Sequence, residues 1–188
     1  MTSSPLRILA FSGSLRTASS NAATLQAMSI LAPPGVDIVL YEGLARLPHF
    51  NPDLDRSEAP ELLPPQVREL RRQVGLASGL LISSPEYAHG VAGSFKNALD
   101  WLVASLEFPG KPVALINTAP RAVHSDAQLR EILATMSARV IAGASITAPI
   151  SGVGRNLDAQ AIAADPELSR QLRQALGVFV EAVVAAPE

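Results

Sequence analysis

The chain has 188 residues, enough for one domain with a single buried core, and it is read as one domain over residues 1–188. Apolar residues make up 48% and charged residues only 17%, the balance of a packed globular protein rather than a disordered one. There is no cysteine, which excludes disulfides, thiolate nucleophiles and sulfur-ligated metals, and a net charge of −2 without a basic cluster speaks against nucleic acid as a partner.

Apolar runs that do not alternate with polar residues fall at 7–12, 36–41, 79–83, 113–117 and 140–146. Rich in Leu, Ile and Val, they read as parallel strands covered on both faces. Helical patterns lie between and after them. Residues 21–31 follow Ser19 and Ser20, either of which can cap the helix. Residues 65–74 open on proline and repeat Val67, Leu70 and Val74 at helical spacing. Residues 94–106 put Phe95, Leu99, Leu102 and Leu106 on one face, with Trp101 packed among leucines. Ser125-Asp126-Ala127-Gln128 reads as a capping box for a helix reaching about Ala138. Asp165-Pro166 opens a last helix with Leu168, Leu172, Leu176 and Phe179 inward.

Residues 42–61 lack periodicity and hold several prolines; they read as a long ordered loop and a candidate part of a subunit interface. No apolar run approaches the roughly 20 residues of a membrane span, and Met1-Thr2-Ser3-Ser4-Pro5 is too short and polar for a signal peptide. No membrane partner and a cytoplasmic location are expected. The repeated strand–helix alternation predicts a doubly wound, three-layer α/β domain. Its five-stranded parallel sheet is expected in the flavodoxin-like order 2-1-3-4-5.

Two strand exits carry chemistry. After the first strand comes Gly13-Ser14-Leu15-Arg16-Thr17-Ala18-Ser19-Ser20-Asn21. A strand-to-helix turn gathers unpaired backbone N–H groups and the positive end of a helix dipole. Ser14, Thr17, Ser19, Ser20 and Asn21 can donate to phosphate oxygens, and Arg16 adds charge and a bidentate fork. The loop is neither a Walker A motif nor G-x-G-x-x-G, and its hydroxyls suit a small terminal phosphate held without a metal. Taken alone, these residues equally describe a helix cap with a solvated arginine.

The second exit runs from Ser84 through Pro85, Glu86, Tyr87, Ala88, His89 and Gly90 to Trp101. Pro85 biases Ser84 to an extended conformation, and Gly90 and Gly93 allow close backbone approach. Such a segment suits a flat ring with a polar edge, as in a flavin, whose electron affinity rises when amide donors face the reduced ring. Tyr87 also reads as an ordinary loop aromatic. His89 reads as facing either substrate or solvent, and Lys96 and Asp100 as a weak exposed pair at i, i+4.

With both loops in this order, the chain resembles the NAD(P)H-dependent FMN reductases, the flavodoxin-like family that includes bacterial quinone, azo-dye and chromate reductases. The family's first motif, roughly G-S-x-R-x-x-S-x-N, stands here as Gly13 through Asn21. Its second, roughly P-E-Y-x-x-x-x-P-G-x-L/F-K-N-x-x-D-W, stands as Pro85 through Trp101. The resemblance implies that Ser14, Arg16, Ser19 and Asn21 hold the FMN phosphate. It also implies that Pro85, Glu86, Tyr87 and Gly90 lie along the isoalloxazine, with Ala88 and His89 beside them. It further implies NADPH or NADH as co-substrate, a small-molecule electron acceptor, and a homodimer or homotetramer with flavin sites near a subunit boundary.

Two departures stand out. Ala92 replaces the second motif's later proline, and the loop 118–124 lacks the family's glycine pair, leaving Arg121 and His124 to replace its contact or serve a dinucleotide phosphate. Hydride passes through FMN in such enzymes, so no catalytic side chain is required; Tyr87 or solvent serves as proton source. A flavodoxin-type electron carrier is the alternative, disfavoured by near-neutral charge and few aromatics (4%). A Ser–His–Asp hydrolase lacks a G-x-S-x-G elbow, and His49, His89 and His124 share no ligand spacing for a metal.

Overall fold

The computed structural model describes residues 5–56, 58–150 and 158–185. Strand β1 (Leu6–Ser12) shows why the sheet lies inside: Ile8 and Ala10 enter one core, Leu9 and Phe11 the other, and all four are buried. Strands β2 (Val36–Leu40), β3 (Gly79–Ser83) and β6 (Pro112–Asn117) share the sheet. β3 sends Leu81 to the first core and Leu80 and Ile82 to the second.

Helices α1 (Ser20–Ile30), α5 (Ala159–Ala164) and α6 (Pro166–Val184) cover the first face. Helices α2 (Pro65–Leu76), α3 (Gly93–Leu102) and α4 (Val123–Thr135) cover the second. At Gly79 an added Cβ would meet Phe179 Cζ at 2.8 Å, so glycine is what lets α6 approach β3 this closely. No helix among the described residues is long and apolar enough to cross a membrane.

The described strands run β2-β1-β3-β6, all parallel, with Ile8 opposite Ile38 and Leu80 opposite Val113. The small antiparallel hairpin β4 (Glu86–Tyr87) and β5 (Gly90–Val91) stands apart. The fifth position departs from expectation. Residues 140–146 are not one strand: β7 (Arg139–Val140) and β8 (Ile146–Thr147) each pair with β6, separated by a 3-10 turn at Ala142–Ala144. Small residues there favour a turn, and Ser145 Oγ bridges the gap, accepting from Leu115 N–H (3.1 Å) and donating to Ile141 O (2.9 Å).

Two further expectations are corrected, and one helix is added. α3 stops at Leu102 because the chain turns to bury Phe108; Leu106 is 94% exposed and Phe108 only 1%. α4 starts at Val123, with no side-chain cap from Ala122, so the capping box at Ser125 does not form. α5 went unread because six alanine-rich residues display no apolar stripe. Among the described residues of 42–61, 3-10 turns form at Leu44–Arg46, Pro52–Leu54 and Pro60–Leu62.

Candidate functional site

β1 and β3 are neighbours in register, Ser12 beside Ser83, so both motif loops leave the same edge of the sheet. They are joined at Gly13. Its N–H donates to Ser83 O (2.8 Å), and its carbonyl accepts from Ser94 Oγ (3.2 Å). A Cβ on Gly13 would meet Ser84 Oγ at 2.5 Å and Ser84 Cα at 3.1 Å. The first motif's glycine is therefore needed for loop-to-loop contact.

In the first loop, Ser14 Oγ accepts from Arg16 N–H (3.3 Å), which leaves the hydroxyl proton to donate outward. Arg16 is exposed. Ser19 is buried and caps α1, accepting from Ala22 N–H at 3.3 Å. Helix geometry leaves the first-turn amides of Ser20 and Asn21 without intrahelical acceptors. Asn21 is turned inward. Its Oδ1 accepts from Thr118 Oγ1 (3.3 Å) and lies 2.8 Å from Ser83 Oγ, whose single proton is shared with Ile116 O at 2.7 Å. Asn21 thus ties α1 to the ends of β3 and β6, and Nδ2 is the side chain's remaining polar atom.

In the second loop, Tyr87 is 53% exposed, and Ala88 and His89 form the hairpin turn with φ of 49° and 60°. Glu86 points at α4: its carboxylate accepts from Ser125 N–H (2.8 Å). The Ser125 amide hydrogen bond above all holds the carboxyl below its ordinary range. Partial desolvation opposes this, and the His124 and His89 charges reinforce it. The His89 and His124 rings stack with centroids 4.2 Å apart.

Two hollows flank this loop. One of about 460 Å³ lies among Gly13, Leu15, Arg16, Tyr87, Ala92 and Ser94. The other, about 300 Å³, lies among Asn21, Pro85, Glu86, Thr118 and Arg121. A larger hollow of about 670 Å³ sits elsewhere, between β2 and α2 over Leu9 and Val39, away from both turns.

The later half of the second motif does another job. Trp101, buried as expected, donates from Nε1 to Pro48 O (2.8 Å). Asn97 donates to the same carbonyl (2.9 Å) and accepts from Phe50 N–H (2.8 Å). These residues moor the loop 42–61, as does Arg71 through Asp55 and Trp101 O, both 2.7 Å away. Sequence reasoning missed Ser83, Ser94 and Gln128 as site-shaping residues. Each acts through a partner distant in sequence, so no local signal marks it.

An open α/β sheet binds ligands at the carboxyl ends of its strands, where these loops meet. The donor set suits FMN: hydroxyls, an arginine and open helix-start amides for a phosphate, with hairpin backbone for a ring edge. Fold and loops define a flavodoxin-like nucleotide-binding protein. The family of NADPH-dependent FMN reductases matches the chain over residues 6–151. An NAD(P)H-dependent FMN reductase of Pseudomonas aeruginosa is 35% identical over 95% of this chain and 97% of its own. A quinone reductase of Escherichia coli is 33% identical over 74% of this chain and 75% of its own. Among solved structures, a flavoenzyme NAD(P)H:(acceptor) oxidoreductase from Paracoccus denitrificans superposes with a TM-score of 0.74. It is 24% identical, over 95% of this chain and 97% of that one, and shows the shared fold. The chain belongs to the NADPH-dependent FMN reductase family. It is an NAD(P)H-dependent flavin oxidoreductase with FMN as cofactor.

Proposed function

We propose that this enzyme passes hydride from NADPH or NADH through bound FMN to a quinone, azo compound, chromate or similar acceptor by a ping-pong sequence. In that sequence the oxidised nicotinamide leaves before the acceptor enters the same cleft. The joining of the two loops at Gly13 carries the reading, since it puts a phosphate-type turn and a ring-edging hairpin at one sheet edge. The quinone reductase relative supports a quinone-class acceptor. FMN, when bound, supplies two-electron transfer, so the protein's work is binding and orientation.

Ser14, Arg16, Ser19, Ser20 and Asn21 would hold the phosphate, through hydroxyls, guanidinium and the positive end of α1. Pro85, Glu86, Tyr87, Ala88, His89 and Gly90 would edge the ring through their backbone, because the Glu86 carboxylate is already committed to α4. The α3 start at Gly93 has no side-chain cap, so its positive end faces the hollow that Arg16 and Tyr87 share. A donor set of this kind favours negative charge on a reduced ring. Tyr87, half-exposed at the same hollow, is the protein group placed to exchange a proton there.

The proposal includes a homodimer or homotetramer, supported by exposed Leu62, Leu76, Val103 and Leu106, and a cytoplasmic location, where NAD(P)H is supplied. The test is a visible spectrum of the purified protein without oxygen, before and after NADPH and NADH are added separately. Yellow colour lost within seconds and restored by a quinone is expected. Colour that only a separate reductase can bleach would overturn it.

A further inference from the structure

The hairpin that edges the candidate ring site rests on a turn its own residues do not favour. Its two-residue loop, Ala88-His89, has positive φ at both positions, as a type I′ turn requires, whereas Asn-Gly is the pair that adopts it freely. Each strand contributes only two residues, and an isolated hairpin is marginal in water even when longer. The restraint comes from outside. The β4 side chain of Glu86 accepts from Ser125 N–H, the β5 amide of Val91 donates to Gln128 Oε1 at 2.8 Å, and His89 in the turn stacks on His124. Both strands and the turn are thus fastened to positions 124, 125 and 128, which share one face of α4.

We infer that Glu86, Gln128 and His124 are positioning residues that impose the hairpin's conformation from α4, so that the ring-edging backbone takes its shape from this clasp and not from its own sequence. The functional half of this inference rests on the FMN reading above. Glu86 also lines the hollow shared with Arg121 and Ala122, so a loosened hairpin reshapes the cleft on both of its sides.

The test is amide hydrogen exchange over residues 86–91 in the full-length chain freed of FMN, with FMN affinity measured alongside by fluorescence quenching. Gln128→Ala should speed exchange at Tyr87 and Gly90, the pair that flanks the turn, about fivefold or more, the size of one net hydrogen bond, and weaken FMN by a similar factor. Glu86→Ala, which removes the acceptor of Ser125 N–H, should do the same from the other strand. Adding Ala88→Asn with His89→Gly, which lets the turn form unaided, should return both readings toward wild type. Exchange unchanged in both single variants, or FMN affinity that stays low after exchange is restored, overturns the clasp. A wild-type chain that takes up no FMN overturns the cofactor reading instead, and the exchange measurement still decides the clasp.

Discussion

Replacing Gly13 with alanine tests the contact on which the site is built. The new Cβ would lie 2.5 Å from Ser84 Oγ, 2.9 Å from Ser84 Cβ and 3.1 Å from Ser84 Cα. The Oγ can rotate away, but Cβ and Cα cannot, so the loops must part by about 0.5–1 Å to reach ordinary carbon separations. That displacement weakens two bonds, Gly13 N–H to Ser83 O and Ser94 Oγ to Gly13 O. Overpacking of this kind costs about 1–3 kcal/mol of stability, which for a chain of this length lowers Tm by roughly 2–12 °C. Losing two net hydrogen bonds that align the loops would weaken FMN by about 1–3 kcal/mol, roughly 5- to 150-fold. Calorimetry and fluorescence titration measure the two effects. Ser84→Gly in the Gly13→Ala background removes Oγ and Cβ, and should recover most of both losses. Unchanged Tm and FMN affinity in Gly13→Ala, or no recovery in the double variant, would refute the reasoning.

Other outcomes follow from the same geometry. Arg16→Ala should weaken FMN by about 1.5–3 kcal/mol, the range for a charged hydrogen bond, with little change in Tm because the side chain is exposed; equal affinity in a titration would remove Arg16 from the phosphate site. Trp101→Phe keeps most of the ring volume but strips the donor to Pro48 O. Because Asn97 still donates to that carbonyl, it should cost only about 0.5–1.5 kcal/mol, one net hydrogen bond, and quicken proteolysis within residues 42–61. Glu86 is held below its ordinary pKa by the Ser125 amide, so the stability it lends is complete above the unfolded value near 4.3 and fades as pH falls through the lower folded value. Hairpin exchange, corrected for its intrinsic pH dependence, should therefore rise only in that acid window, and Glu86→Gln should abolish the rise.

The sheet was legible because each parallel strand is an unbroken apolar run, and Ile8 against Leu9 needs no partner information to be read as buried on both sides. The fifth strand was misread because apolar content alone cannot separate a strand from two short strands around Ala142-Gly143-Ala144. The Ser125 box failed for a related reason: an N-terminal signature assumes that the cap comes from nearby in sequence. Here the carboxylate of Glu86, thirty-nine positions away, is the group bonded to the Ser125 amide.

What the amino-acid order determined by itself is local and periodic: the first four sheet strands, most of the helices, a serine cap at Ser19 or Ser20, and the two loops whose residue types suit a phosphate and a flat ring. The tertiary structure decided which polar groups spend their hydrogen bonds on the protein. Asn21 is used to join α1 to β3 and β6, Glu86 to fasten the hairpin to α4, and Asn97 and Trp101 to moor a distant loop. A side-chain donor or acceptor serves whichever partner folding brings within about 3 Å, and that partner is set by the packing of elements far apart in the chain.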